Sequence, residues 1–161
     1  MPLLPPKPLR IFVSLKHMAD QPTLRLVLFR LGSLVCAAPA TSVREVIPAG
    51  RPTRIPGTDA VIAGLLNLRG VLLTVVDGRA VIGVTDGAAA PESVLVLDQG
   101  GKPVGLAVDE VLDLVEVDPD QLAQGDSLPG IDPRLVQAVG RQDGRVFAVL
   151  DTAALVAPLL G

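Results

Sequence analysis

Gly70-Val71-Leu72-Leu73-Thr74-Val75-Val76-Asp77 and, 74 positions later, Gly144-Arg145-Val146-Phe147-Ala148-Val149-Leu150-Asp151 are the stretches that decide how this chain is built. Each opens on glycine, runs through mostly apolar residues suited to a pleated strand, and ends on an Asp shortly before a short apolar segment, AVIG in one case and AALVAPLL in the other. Upstream, a shift of 69 positions aligns Val35 with Val104, Ala38 with Ala107, Val43 with Leu112 and Val46 with Val115. The shift grows by five between the two regions, as a short insertion near Gly125 would produce. Self-similarity in a constant order points to two related β-units, each closing on a strand, an Asp and a helical turn. Small units of this kind bury their faces by curling into barrels and packing on each other.

Composition agrees. Of 161 residues 49% are apolar, yet there are three Phe and no Tyr or Trp, so a core must be built from Val, Leu, Ile and Ala. With 16 Gly and 15 Pro the chain is too heavily punctuated for a helical bundle. The length suits one domain with an unstapled core, and a single Cys excludes a disulfide framework or a Cys-rich zinc site. A net charge of −3, with no basic excess and few aromatics, argues against nucleic acid. Residues 1–17 carry four Pro in their first eight positions, which breaks the apolar stretch a signal peptide needs, and no run approaches the ~18 residues of a membrane span. The chain therefore reads as cytoplasmic, with no direct membrane insertion. Met18 reads as the true start with an upstream extension before it, or else residues 1–17 are a genuine Pro-rich tail; either way residues 1–22 are expected to be disordered and residues 23–161 to form the domain.

Strand-like runs lie at Leu24–Leu31, Leu34–Pro39, Val71–Val76, Ser93–Asp98, Val104–Val117 and Arg145–Leu150. Ser42–Ile47, with Val43, Val46 and Ile47 at helical spacing, predicts a turn or two of helix, and Asp120–Gln124 another turn. Asp77 and Asp151 are placed to cap helix N-termini. Residues 85–91 form a small-residue loop and residues 118–133 a second long connection.

Two Asp at matching places in two β-units is also the layout of an aspartic protease. That chemistry needs Asp-Thr/Ser-Gly twice, and the triplets here are Asp77-Gly78-Arg79 and Asp151-Thr152-Ala153, which caps explain more simply. Cys36 lies in an alternating strand, and with one His in the chain, His17, it reads as a small buried apolar residue. Neither a phosphate loop nor a nucleophile elbow is present. A ligand-binding β-barrel is the other alternative, but without Tyr or Trp little remains to line its pocket. The sequence implies no enzyme and no cofactor or metal.

What stands out is Gly64-Leu65-Leu66-Asn67-Leu68-Arg69-Gly70, where Asn67 and Arg69 sit in an apolar surround between glycines that permit sharp geometry or close approach of another chain. Two readings stand here. Asn67 makes a turn and Arg69 is an exposed charge; or a carboxylate such as Glu45 holds a partly buried Arg69 so that it presents a fixed fork to a partner.

At these residues the sequence resembles the CheW family, the coupling proteins that link chemoreceptors to the histidine kinase CheA. The likeness runs from about Arg25 to Leu160 in family order. It comprises LVLFRLG at 26–32, Val43-Arg44-Glu45-Val46-Ile47, Arg54-Ile55-Pro56, GLLNLRG at 64–70, the strand into Val76-Asp77, VGLAVDEV at 104–111, and the closing strand with Leu150-Asp151. The resemblance implies an all-β fold of two intertwined SH3-like five-stranded barrels with short helices, including one at the C-terminus. It implies a non-enzymatic adaptor recruited to membrane-associated receptor arrays, whose partners are the cytoplasmic tip of a chemoreceptor and the regulatory domain of a CheA-type kinase. Family receptor-binding positions match Val43, Glu45, Gly64 and Arg69, with Asn67 and Gly70 shaping the same loop. Gly105, Val108 and Asp109 are the candidates for kinase contact, on the expectation that this strand is exposed or at a barrel edge.

Two departures from the family pattern matter. Many members have Asp-Leu-Arg where this chain has Asp77-Gly78-Arg79, and Gly weakens a helical turn by up to about 1 kcal/mol. The second strand reads Cys36-Ala37-Ala38-Pro39-Ala40, where an aromatic residue and Ile-Pro-Val are frequent. These changes leave open a paralogue serving gliding or pilus motility.

Overall fold

The computed structural model describes residues 23–87, 90–124 and 131–160. The expected N-terminal disorder and the inferred insertion near Gly125 lie outside the described residues.

Eleven strands are described: β1 (Leu24–Leu31), β2 (Leu34–Pro39), β3 (Val43–Pro48), β4 (Ile62–Leu68), β5 (Val71–Asp77), β6 (Ser93–Gln99), β7 (Lys102–Val108), β8 (Glu110–Val117), β9 (Ala123–Gln124), β10 (Val136–Gln142) and β11 (Arg145–Leu150). Two helices follow the two Asp residues, α1 (Gly78–Ile82) and α2 (Thr152–Leu160). The caps are as expected: the Asp77 carboxylate accepts from the N–H of Arg79 (3.1 Å) and of Ala80 (3.4 Å), and that of Asp151 from the N–H of Ala154 (3.1 Å).

The strands form a six-stranded sheet ordered β8-β1-β2-β11-β10-β9 and a five-stranded sheet ordered β3-β6-β7-β5-β4. The shifts of 69 and 74 carry β1, β2 and β3 onto β6, β7 and β8, and β4 and β5 onto β10 and β11. Applied to the second sheet, they reproduce the strand order of the first, with the two-residue β9 as an addition. The two units have thus exchanged strands. Strands β1 and β2 of the first half pair with β8 and β11 of the second, while β6 and β7 of the second pair with β3 and β5 of the first. This is the intertwining that the resemblance implies.

Alternation explains why strands at the centre of each sheet are apolar on both faces. In β1, Leu26 and Leu28 face a core private to the first sheet, while Val27, Phe29 and Leu31 face one shared by both sheets. In β6, Val94 and Val96 face a core private to the second sheet, and Leu95 and Leu97 face the shared one. Both described Phe side chains are fully buried: Phe29 in the shared core and Phe147 in the first sheet's own. Phe147 stands opposite Gly140, where an added Cβ would come 2.4 Å from its ring, so the glycine leaves room for the aromatic. Gly78 has a similar reason: a Cβ there would lie 2.6 Å from the carbonyl oxygen of Ala107 and 2.7 Å from Leu31. The residue that weakens α1 is the one that lets it approach β7.

Several expectations are corrected. Ser42–Ile47 is not helical; Ala40–Ser42 makes one 3-10 turn and Val43–Pro48 is strand β3. Burial alternates along β3, but the charged Glu45 lies on the more buried face and Val46 on the exposed one, so the apolar spacing imitates a helix. Residues 120–124 give the end of a 3-10 turn and then β9. The run Val104–Val117 is two strands in different sheets, divided at Asp109. Strands β4 and β10 went unread because Gly64, Asn67 and Gly140 interrupt them.

Candidate functional site

Strands β4 and β5 are joined by the two-residue loop Arg69-Gly70, with Leu68 paired to Val71 across its base. Both loop residues have positive φ, 52° and 84°. This is the type I′ geometry whose twist matches that of a hairpin. The Asn67 carboxamide oxygen accepts from the N–H of Gly70 at 2.8 Å and fixes the turn. Three residues further back, Gly64 has a φ of 147°, and the loop at Thr53 pairs with Leu65 through bonds of 2.8 and 2.9 Å. A Cβ on Gly64 would lie 2.4 Å from the Thr53 carbonyl oxygen. The glycines flanking the motif therefore do both things their type suggests: one admits another backbone, the other turns the chain.

The hairpin places Arg69 against Glu45 of β3. Nη1 of Arg69 donates to Oε1 of Glu45 at 3.2 Å and Nη2 to Oε2 at 2.5 Å, a two-pronged fork. The hydrogen bond from Arg69, and after it the charges of Arg69 and Arg44, hold the Glu45 carboxyl below the usual glutamate range. Each reading holds in part: Asn67 makes the turn and Arg69 is exposed, as in the first, and Glu45 holds Arg69, as in the second. The guanidinium is not partly buried, however; the Arg69 side chain is 70% exposed and that of Glu45 33%. The pair orients a charge toward solvent.

Beside the pair lies a depression of about 220 Å3 with Leu68, Val71, Leu73, Val96 and Pro103 along it and Arg44, Glu45 and Arg69 around it. All these residues belong to the second sheet or, for Arg69, to its β4–β5 turn. Arg44 is the extra residue of the β3 bulge, tied to Asp98 (3.2 Å) and to the carbonyl of Gly101 (3.2 Å). Val71 and Leu72 are exposed. Arg44, Leu68, Val71 and Pro103 were missed in the sequence; two apolar residues directly after the tip of a hairpin were the available signal.

Of the expected receptor-binding positions, the structure brings Glu45 and Arg69 together at the depression and uses Asn67 and Gly70 to shape the turn. Gly64 is buried under Thr53, and Val43 is half-buried against the shared core. The expectation of an exposed strand at 105–109 is not met. Strand β7 is paired on one side to β6 and on the other to β5, Val108 and Asp109 are buried, and a Cβ on Gly105 would meet Val94 at 2.8 Å.

Cys36 is buried, which pushes its thiol up to about 12 and keeps it protonated at neutral pH. Among the described residues no helix is long and apolar enough to cross a membrane. What the site offers is an oriented ion pair beside apolar surface, a means of binding protein.

Residues 25–158 match the CheW-like domain family. The chain is similar to the chemotaxis protein CheW of Bacillus subtilis, with 24% identity over 134 residues, covering 82% of this chain and 86% of that protein. It is 30% identical over 135 residues to the probable chemotaxis protein CheW of Rhizobium etli, covering 81% of this chain and 85% of the relative. Among solved structures, the scaffolding protein TtCheW from Thermoanaerobacter tengcongensis shares its fold, with a TM-score of 0.77 at 24% identity, covering 86% of this chain and 90% of that one.

Proposed function

This chain belongs to the CheW-like domain family, and on that premise we propose that it is a non-enzymatic adaptor that joins the cytoplasmic tip of a chemoreceptor to the regulatory domain of a CheA-type histidine kinase. Its place is the cytoplasm, at receptor arrays. The observation that carries the reading is the Glu45–Arg69 fork standing in solvent beside the apolar depression of the second sheet. A receptor tip is a helical hairpin, and a docked helix needs apolar contact for affinity and a fixed polar group for register. Leu68, Val71 and Pro103 supply the first and Arg69 the second. Asn67, Gly70 and Gly64 keep the hairpin in shape, and Val43 seats β3 so that Glu45 meets Arg69. The kinase docks on other surface, since Gly105, Val108 and Asp109 are interior. Coupling of this kind is a difference in contact free energy between states of an assembly, so it needs two binding sites and no chemistry.

The test is co-sedimentation of the purified chain with a receptor cytoplasmic fragment and a CheA kinase from the same organism. A ternary pellet that Arg69→Ala depletes of receptor while kinase remains is the expected result. Absence of any ternary complex with cognate partners would refute the proposal.

A further inference from the structure

The chain passes between the two sheets twice. It leaves the first sheet between β2 and β3, through the 3-10 turn Ala40–Ser42, and returns to it between β7 and β8, at Asp109. The two crossings correspond in the repeat, since the shift of 69 carries Ala40 onto Asp109. Their chemistry differs. Among the described residues Asp109 is the one charged or polar residue that is buried, 5% exposed. Its carboxylate accepts from the N–H of Gly32 at 2.5 Å, from Nε of Arg79 at 3.1 Å and from Nη2 of Arg79. Its own N–H donates to the carbonyl of Arg30 (2.9 Å), and its carbonyl accepts from the N–H of Glu92 (3.1 Å). Gly32 is the turn between β1 and β2 in the first sheet, whereas Arg79 sits on α1, directly after β5 of the second, and also holds the carbonyl of Gly87 at 2.9 Å. At the other crossing the counterparts of Asp109 and Arg79 are Ala40 and Ala153.

The chain therefore makes the same crossing without the pair, so the topology does not require it. Nor is a buried pair a strong source of stability, because desolvation offsets the attraction; its best-attested use is to fix one arrangement among several. The shared core between the sheets is apolar, and apolar contact is non-directional. A guanidinium fork bridging to a turn of the opposite sheet is directional.

We propose that Asp109 and Arg79 are positioning residues that lock the second sheet, with its receptor-docking face, in one orientation on the first sheet. Resting on the adaptor reading, this means that information passing between a receptor on the second sheet and a kinase anchored elsewhere depends on the lock, whereas receptor docking does not.

The test uses the full chain with Asp109→Asn, and with Asp109→Asn/Arg79→Gln, which leaves no buried charge unpaired and keeps the question answerable if the single variant does not fold. The first readout needs no partner. Backbone residual dipolar couplings of the wild type fit one alignment tensor for both sheets; in the variants the sheets require different tensors, and the Gly32 amide proton loses its downfield shift. The second readout is function in reconstituted receptor–kinase assemblies. Receptor-fragment affinity stays within twofold of wild type while receptor control of kinase activity falls at least fivefold. A single tensor in folded variants, unchanged kinase control, or loss of receptor affinity together with control would overturn the lock. If the wild type binds no receptor, the adaptor reading fails, and the dipolar couplings still decide whether the lock exists.

Discussion

The hairpins β4–β5 and β10–β11 are counterparts in the repeat and have the same tip: Arg69-Gly70 with φ of 52° and 84°, and Asp143-Gly144 with φ of 52° and 76°. Asp-Gly is what a type I′ turn asks for, because a short polar side chain tolerates the left-handed region. Arg-Gly is not. The left-handed conformation costs an ordinary L residue on the order of 1 kcal/mol, and a long cationic side chain has no local way to offset it. The two tips differ in what stands opposite, since Glu45 reaches Arg69 while the counterpart of Glu45 in the repeat is Leu114, an exposed aliphatic residue. One backbone device thus serves twice: at Asp143 it closes a strand pair, and at Arg69 it also aims a charge. Local strain at one of two otherwise equivalent turns supports the docking role proposed for the first.

The comparison can be broken hardest at Gly64. Its counterpart in the second hairpin is already Ala138, but a Cβ at Gly64 would meet the Thr53 carbonyl at 2.4 Å, so Gly64→Ala is expected to cost about 3 kcal/mol. Urea denaturation measures that loss, and amide exchange should localise it to β4 and the Thr53 loop. Next in size, Arg69→Ala weakens binding of a receptor-tip fragment at least tenfold in isothermal titration, while Asp143→Ala leaves it within twofold. Gly70→Ala and Gly144→Ala meet nothing within 4 Å, so each should lose only what positive φ costs an alanine, about 1 kcal/mol, and by equal amounts if the tips are equivalent. Arg69→Asn sharpens the contrast from the other side. It converts the first tip to the chemistry the turn prefers, so Tm should rise by roughly 2–4 °C while receptor binding is lost.

The smallest effect is that of pH. Glu45 has its pKa lowered in the fold, chiefly by the hydrogen bond from Arg69, so the stabilisation it gives is present above the ordinary glutamate range and disappears as pH falls through the lowered value. Carbon-detected titration should find Glu45 ionising below the ordinary glutamate range, and Arg69→Ala should bring it back up toward the ordinary value.

Much of this was legible in the sequence, for stated reasons. Strands buried largely on both faces, such as Leu24–Leu31 and Arg145–Leu150, read as predominantly apolar runs, and their bounds coincide with those observed. The repeat disclosed two units, but the exchange of strands between them is a pairing at long range that no local pattern encodes. Strand β3 was misread because Glu45 occupies the more buried face and Val46 the exposed one, so the polarity of the residues runs against an alternation that the backbone keeps. In the site, Asn67, Arg69, Gly70 and the carboxylate of Glu45 were visible because each residue type has a specific geometric use. Asp109 was noticed for the wrong reason: in sequence it looks like a surface charge on an edge, and only the crossing between sheets shows that it is the buried acceptor of Gly32 and Arg79.

The central claim is that docking lies on the first hairpin and not on its twin. Amide chemical-shift mapping during titration with a receptor-tip fragment tests it most directly. The account predicts saturable shifts at Arg44, Glu45 and Val46 and from Leu68 to Leu73, with Gln142 to Val146 unmoved. Shifts of similar size on both hairpins, or none on either at saturating fragment, would contradict it.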